Sequence, residues 1–249
     1  MRRVQLSDRL LALAGYVRKG ERVADIGTDH GLLPIYLKQN GISDCIIAGD
    51  VNQGPLEKMA GNLERHLSGD WEGIQMRLGS GLDILEPGEA DCAIIAGMGG
   101  RLMIEILEDS METARSLKRL ILQPRNAQDT LRKWLLFHGF TIEDETLVRE
   151  RKYIWEILEV QPLPPEALLF QNPAEQEREQ YDIGYELIRK KDPLLYDFIE
   201  QKAGIEQEIL DGAKRSDLES AVLQRQISEK KIAIFRRIQK DVCRSERID

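Results

Sequence analysis

An α/β fold built on a mostly parallel, seven-stranded sheet with an α-helical arm at its C-terminal end is predicted by three observations. Up to about residue 160, continuous apolar runs alternate with segments of helical period. The last two such runs follow each other with no helix between them, and residues 175–247 are almost wholly helical in composition. Apolar strands separated by helices imply parallel strands covered on both faces, whereas two consecutive strands close the sheet as an antiparallel hairpin at one edge.

Taken in order, strands are read at RVADIG (22–27), CIIAGD (45–50), IQMRLG (74–79), CAIIAG (92–97), RLILQP (119–124), FTIEDETLV (140–148) and YIWEILEV (153–160). Between the first five lie LPIYLKQN, GPLEKMAGNLERHL and RLMIEILEDSMETA, each with helical spacing of its apolar residues. The helix after RLILQP is expected to open at Asn126, with Asp129 completing a capping-box-like start, and to stop at Gly139. Residues 1–160 thus form one domain. The four prolines of QPLPPEALLFQNP mark residues 161–174 as a linker, and residues 175–249 form a helical hairpin or coiled coil. Its two seams are Leu195, Phe198, Ile205 and Ile209, interrupted by Lys202, and Leu223, Ile227, Ile234 and Ile238. DGAKRS (211–216) is the break between them.

The chain of 249 residues exceeds the ~100–200 typical of one domain, in keeping with a main domain plus a smaller module. No apolar run approaches the ~20 residues of a membrane span, and Asp8 and Arg9 interrupt any leader-like N-terminus, so no membrane association and a cytoplasmic protein are expected. Cys45, Cys92 and Cys243 are odd in number and widely spaced, which supports neither a disulfide framework nor a zinc site; Cys45 and Cys92 are expected as core residues. His30, His66 and His138 share no ligand spacing, and no metal is expected. A net charge of −8 argues against nucleic-acid binding by the whole surface, since phosphate contacts need Lys and Arg. The tail from Arg225 onward is locally basic, with Lys230, Lys231, Arg236, Arg237, Lys240, Arg244 and Arg247.

The turn after the first strand reads D-I-G-T-D-H-G, Asp25 to Gly31. A dinucleotide pyrophosphate would want G-x-G-x-x-G there, and Asp29 would meet it with like charge. S-adenosylmethionine carries an ammonium and a sulfonium and no phosphate. Asp25 or Asp29 can accept from the ammonium while Gly27 and Gly31 let the chain turn closely past the ligand. Asp50, ending the second strand about 20 residues on, is placed to accept from ribose hydroxyls. GSGLDIL (79–85) follows the third strand, where Gly81 supplies backbone donors and Leu82 an adenine floor. Each stop also has a simpler reading, as turn glycines at 27 and 31 and a helix cap at Asp50. The fourth strand ends in AGMGG (96–100), whose Gly97, Met98, Gly99 and Gly100 bring backbone to the place where a methyl donor and a flat acceptor base meet; the alternative is a helix N-cap turn with close packing.

LSDRLLALAGYV, VADIGTDHGLLP, the Asp50 strand end with VNQGPLEKMA, IIAGMGG, LILQPR and the basic helical C-terminus together resemble the bacterial tRNA (adenine(22)-N1)-methyltransferase family of the TrmK type. The resemblance spans nearly the whole chain. It implies a class I Rossmann-like methyltransferase domain with a coiled-coil C-terminal domain, S-adenosylmethionine as donor and tRNA as acceptor. By position it implies that Asp25, Gly27, Asp29, Asp50, Gly81 and Leu82 line the cofactor, with Arg9 reaching the methionine carboxylate. Gly97 to Gly100, Gln123 and Pro124 would border the adenine pocket. The family pattern places Asn after that Gln-Pro, where this chain has Arg125.

Adenine N1 carries an in-plane lone pair and needs no prior deprotonation, so alignment is the main demand. Asp29 is the candidate catalytic group, to stabilise the cationic product or take an N6 proton; the alternative is that it only binds cofactor. N1 lies on the pairing edge, so the base must be unstacked, and Lys230, Lys231, Arg236 and Arg237 are expected to hold the RNA through phosphates. A small-molecule methyltransferase and a non-catalytic cofactor-binding protein with an assembly coiled coil are the competing readings.

Overall fold

The computed structural model describes residues 3–164, 179–216 and 218–245. Most of the expected linker, together with Arg247, lies outside the described residues, as does the Cys243 side chain. The seven strands are β1 (Arg22–Ile26), β2 (Cys45–Asp50), β3 (Ile74–Leu78), β4 (Cys92–Met98), β5 (Arg119–Pro124), β6 (Phe140–Glu150) and β7 (Tyr153–Pro162). They form one sheet in the order β3-β2-β1-β4-β5-β7-β6. The first five are parallel, and β7 runs antiparallel to both β5 and β6. The expected sheet and its edge hairpin are therefore present.

Period-two alternation sends successive residues into two separate cores. Ala93, Ile95, Leu120 and Leu122 pack under α4 (Gly100–Asp109), α5 (Met111–Ser116) and α6 (Gln128–Phe137). Ile94 and Ile121 point the other way, toward α1 (Asp8–Tyr16), α2 (Leu32–Gln39) and α3 (Gln53–Leu67). Cys92 is buried as expected, but Cys45 is exposed. It is the first residue of β2, paired with the exposed Arg22 at the rim of the sheet, and burial begins at Ile46.

α6 also starts differently. Its N-cap is Ala127 at φ 51, with no side-chain cap, and Asn126 and Asp129 do other work. The Asn126 carbonyl accepts from Gly100 N–H at 3.0 Å, while the Asp129 carboxylate accepts from Lys231 at 3.2 Å. Gly139, at φ +78, follows the helix end as expected.

The C-terminal region is an antiparallel pair of helices, Leu195–Ala213 and Glu219–Ser245, shown by the links Glu206 to Ser228 and Glu200 to Gln239. The seams differ from the heptad reading. Leu195, Phe198, Ile199, Phe235 and Ile238 are buried in a third core that includes Leu147 and Ile154 of the β6–β7 hairpin. Ile205, Ile209, Leu223 and Ile227 remain 49%, 41%, 57% and 40% exposed. The inner half of the arm packs on the sheet edge, and that packing sets which helical face is buried.

Beneath the arm lies an ion cluster. Arg132 of α6, fully buried, pairs with Glu145 of β6 and Glu156 of β7, both 1% exposed. Its Nη1 donates to the Tyr181 carbonyl at 3.2 Å, Glu145 Oε2 accepts from Glu186 N–H at 3.1 Å, and Lys202 of the arm lies 3.4 Å from Glu156. Burial lifts the Glu145 carboxyl above the ordinary range despite Arg132; at Glu156 the burial penalty is outweighed by Arg132 and Lys202, which hold it low.

Removing one member of a buried ion cluster leaves the rest uncompensated, at a cost of about 3–5 kcal/mol. Arg132→Met is expected to lose that much in urea unfolding. Adding Glu145→Gln and Glu156→Gln should recover a large part of it. A single variant within 1 kcal/mol of the parent would contradict the assignment, on the same principle.

Candidate functional site

A cavity of about 570 Å³ opens where the chain order reverses between β1 and β4, at the C-terminal edge of the sheet. Open α/β sheets bind ligands at such a switch point, because the loops leaving the two strands diverge to opposite faces. Its walls include Asp25, Gly27, Asp29 and Gly31 of the first turn, Asp50 at the end of β2, and Gly97 and Met98 at the end of β4. Arg9, Gln123, Arg125, Glu150 and Trp155 complete it.

The first turn depends on Gly27. Its φ of +77 is a left-handed conformation, and a Cβ there would lie 2.2 Å from Met98 Cε. Asp25, at the end of β1, is 7% exposed, and burial pushes its carboxyl up to about 6. Asp29 is set differently: its side chain is 78% exposed at the rim, 3.4 Å from His30 Nε2. Asp50 Oδ1 accepts from Asn52 N–H at 2.8 Å, which orients the carboxylate at the strand end.

Gln123 connects the elements around the cavity. Fully enclosed at the end of β5, its Oε1 accepts from Arg9 Nη1 at 2.9 Å and from Gly97 N–H at 3.1 Å. Arg9 Nε also lies 3.4 Å from Glu150 Oε2. The N-terminal helix, the β4 turn and the β6–β7 hairpin thus meet through one carboxamide and one guanidinium. Gln123 was expected at the edge of an acceptor pocket; it lines the cavity, with its oxygen engaged by Arg9 and Gly97.

The remaining expected residues are placed less centrally. Gly81 and Leu82 do not line the cavity: they form a 3-10 turn, Gly81–Ile84, and Leu82 is fully buried in the core. Its apolar side chain fits that packing better than an adenine floor. Gly99 and Gly100 begin α4, and a Cβ on Gly100 would lie 2.6 Å from the Ala127 carbonyl oxygen. The doublet brings α4 against the β5–α6 turn, which is the close-packing alternative. Pro124 is buried beside it, and Met98 uses its carbonyl to accept from Arg125 N–H at 2.7 Å. Of the four arm cations, Lys230 and Arg236 are exposed, as is Arg237. Lys231 is not available for phosphate: it pairs with Asp182 at 3.0 Å and Asp129 at 3.2 Å, and these carboxylates hold its ammonium charged against burial.

Glu150, Trp155 and Thr28 also line the cavity without having been singled out from the sequence. Glu150 and Trp155 flank the hairpin turn between β6 and β7, and only the antiparallel pairing of that hairpin to β5 brings them to the strand-end side. Among the described residues, no group of three or more His, Cys, Asp or Glu side chains could hold a metal ion, and no helix is long and apolar enough to cross a membrane.

The cavity's chemistry, four carboxylates with two arginines over glycine-bounded turns, fits an amino-acid-bearing cationic nucleoside better than a polyphosphate. Comparison with known proteins agrees. A profile of the family described as "Methyltransferase domain" matches residues 6–158. The tRNA (adenine(22)-N(1))-methyltransferase of Bacillus subtilis is 37% identical over 158 residues, which cover 64% of this chain and 66% of that enzyme, just under two thirds of its length. A Streptococcus pneumoniae protein solved in complex with S-adenosyl-L-methionine is 32% identical, with a TM-score of 0.78, covering 94% of this chain and 100% of the other. The structure of the B. subtilis M1A22 tRNA methyltransferase TrmK is 27% identical with a TM-score of 0.79, covering 95% and 99%.

Gln123→Ala would remove the acceptor shared by Arg9 and Gly97, leaving two donors to find new partners. An unsatisfied buried group costs about 1–3 kcal/mol, toward the lower end for partly buried donors such as these, and each kcal/mol lowers Tm by about 2–4 °C in a protein of this size. Scanning calorimetry should show a drop of several degrees; an unchanged Tm would remove Gln123 from the frame of the site.

Proposed function

The chain belongs to the bacterial tRNA (adenine(22)-N1)-methyltransferase family, TrmK type, and from that membership we propose that it transfers a methyl group from S-adenosylmethionine to N1 of adenosine 22 in the D-arm of tRNA. The observation that carries the reading is the switch-point cavity, in which Asp25, Asp29 and Asp50 surround a glycine turn with Arg9 opposite. Bound there, the donor supplies an electrophilic methyl on a sulfonium, needing no metal to activate it. Arg9 answers a carboxylate, the first-turn aspartates an ammonium and Asp50 a pair of ribose hydroxyls.

The chain's own residues then have an alignment task. Adenine N1 attacks with its in-plane lone pair, so the ring must enter edge-on, with N1, the methyl carbon and sulfur in line. Transfer of that methyl would leave the positive charge on the adenine ring. Asp29, exposed at the rim of the same cavity, can stabilise that charge or accept an N6 proton. The exposed Lys230, Arg236 and Arg237 on the arm supply a cationic face for tRNA phosphates.

Unmodified tRNA treated with labelled donor should acquire N1-methyladenosine at position 22, mapped by nucleoside mass spectrometry of defined fragments. Absence of that product would sink the reading, and methylation of a small acceptor instead would favour the small-molecule alternative. For Asp29→Asn, kcat at saturating donor should fall by about a hundredfold or more if the carboxylate acts in the chemistry, over and above any loss of donor affinity. A kcat that stays put confines Asp29 to cofactor binding.

Donor affinity should also depend on pH through Asp25. Its carboxyl titrates at about 6, and the donor's positive charge favours the ionised form. Calorimetric affinity is therefore flat above that pH and weakens by up to ~10-fold per pH unit below it, the slope of one coupled proton. Asp25→Asn should flatten the profile; a wild-type profile level from pH 8 to 5 would exclude the coupling.

A further inference from the structure

A second cavity, of about 650 Å³, lies between the arm and the catalytic domain, within the ~300–1,000 Å³ range of small-molecule pockets. Arg125 and Trp155 line both it and the donor cavity, so the two spaces share a wall. Arg125 occupies the position after Gln-Pro where the family pattern has Asn, and the activity proposed above leaves it unused. Its backbone is fixed by the bond to Met98, but its exposed guanidinium has no hydrogen-bond or ion-pair partner among the described residues.

An aromatic pair stands beside it. Tyr153 and Trp155, alternate residues of β7, have ring centroids 5.6 Å apart, and Tyr153 is 45% exposed. Lys152 Nζ sits 5.0 Å from the Tyr153 ring centre at the same edge. Farther in, the walls change character. Asp129, Glu156, Asp182 and Glu206 line the cavity with Lys202 and Lys231. These lysines are held by those carboxylates, in pairs of 3.0 to 3.7 Å. A phosphate would be repelled from such an interior, whereas a neutral base or ribose finds hydrogen-bond partners in it.

We propose that this cleft is a second nucleotide site, contiguous with the donor cavity, which takes the nucleotide adjacent to the target adenosine, its base against the Tyr153–Trp155 pair and its phosphate on Arg125. The inference rests on the tRNA reading above. The target base must leave its stack to expose N1, and its neighbour then loses a stacking partner that an aromatic side chain can replace. Because the two spaces share a wall, a neighbouring nucleotide can reach the cleft while the target base enters the donor cavity, with the uncommitted cation of Arg125 between them. Holding the neighbour stabilises the unstacked substrate, so the site acts on tRNA capture and not on donor binding.

Tyr153 is the cleanest test, since it lines the cleft and not the donor cavity. Base–aromatic stacking is worth ~1–3 kcal/mol, so Tyr153→Ala should lower kcat/KM for tRNA by about 5-fold to 150-fold, chiefly through KM. Donor affinity by calorimetry should stay within about twofold, and Tyr153→Phe, which keeps the ring, should restore the rate. Arg125→Gln should reduce the salt slope of tRNA binding by about one. A 2-aminopurine placed next to the target, on one side or the other, should be quenched on binding wild type and not Tyr153→Ala. Tyr153→Ala matching wild type in kcat/KM, or no quenching at either position, overturns the site while the methyltransferase reading stands. Wild type that leaves tRNA unmethylated overturns the parent reading instead.

Discussion

The buried Arg132 cluster decides where the helical arm stands relative to the donor cavity. One guanidinium, fully withdrawn from water, is held by carboxylates from both strands of the edge hairpin, and the same cluster reaches the backbone at Tyr181 and Glu186 and the arm's Lys202. Buried pairs return little net stability, because desolvation offsets attraction. They are directional, however, and a clamp joining α6, β6, β7 and the arm holds best in one arrangement. Since α6 follows directly on β5, the strand that carries Gln123, that arrangement also fixes the arm against the cavity wall. Apolar packing of Phe198 and Phe235 on Ile154 fills the same junction without the same angular demand.

At the cavity, backbone geometry sets the shape and a few charges set the preference. The order reversal beside β1 opens the space, and Gly27 keeps the first turn clear of Met98. Gln123 ties Arg9 to the end of β4, so Arg9 is positioned by a neutral carboxamide on one side and by the Glu150 carboxylate on the other. Asp25, Asp29, Asp50 and Glu150 then make the walls net negative. A pyrophosphate would meet repulsion from three strand ends; a sulfonium ligand with an ammonium meets attraction. The glycine turn that looks deficient beside a dinucleotide motif is coherent when read with its aspartates.

Most of the sheet was legible in the sequence for a physical reason: the central strands, buried on both faces, must be continuously apolar, and all seven strands appear at or within two residues of the observed bounds. The strand-end residues Asp25, Gly27, Asp50 and Gly97 were legible because parallel strands place their C-terminal stops on one edge. What depends on contacts distant in the chain was not. Cys45 reads as core until the rim of the sheet is seen. Leu82 and the Gly99–Gly100 doublet look like ligand contacts but serve packing, since sequence does not distinguish a glycine near a ligand from one near another helix. Lys231 reads as a surface cation because its partners Asp129 and Asp182 lie far away in sequence. The heptad pattern located the arm but not its buried face, which the hairpin edge selects.

Charge distribution also constrains how an RNA can approach. The chain is acidic overall, with a net charge of −8, so long-range attraction must come from local cationic surfaces. Lys202 and Lys231 cannot contribute, because the carboxylates that line the cleft already engage them. The exposed cations of the arm, with Arg125 and Lys152 at the mouth of the cleft, are the groups positioned to meet phosphate. On the proposed reading, the backbone would stay outside while bases turn inward, one past Trp155, which lines both cavities. In that arrangement the acidic interior walls would assist RNA recognition: by keeping the phosphate at Arg125 and away from the carboxylates farther in, they would leave the base as the part of the nucleotide that can enter.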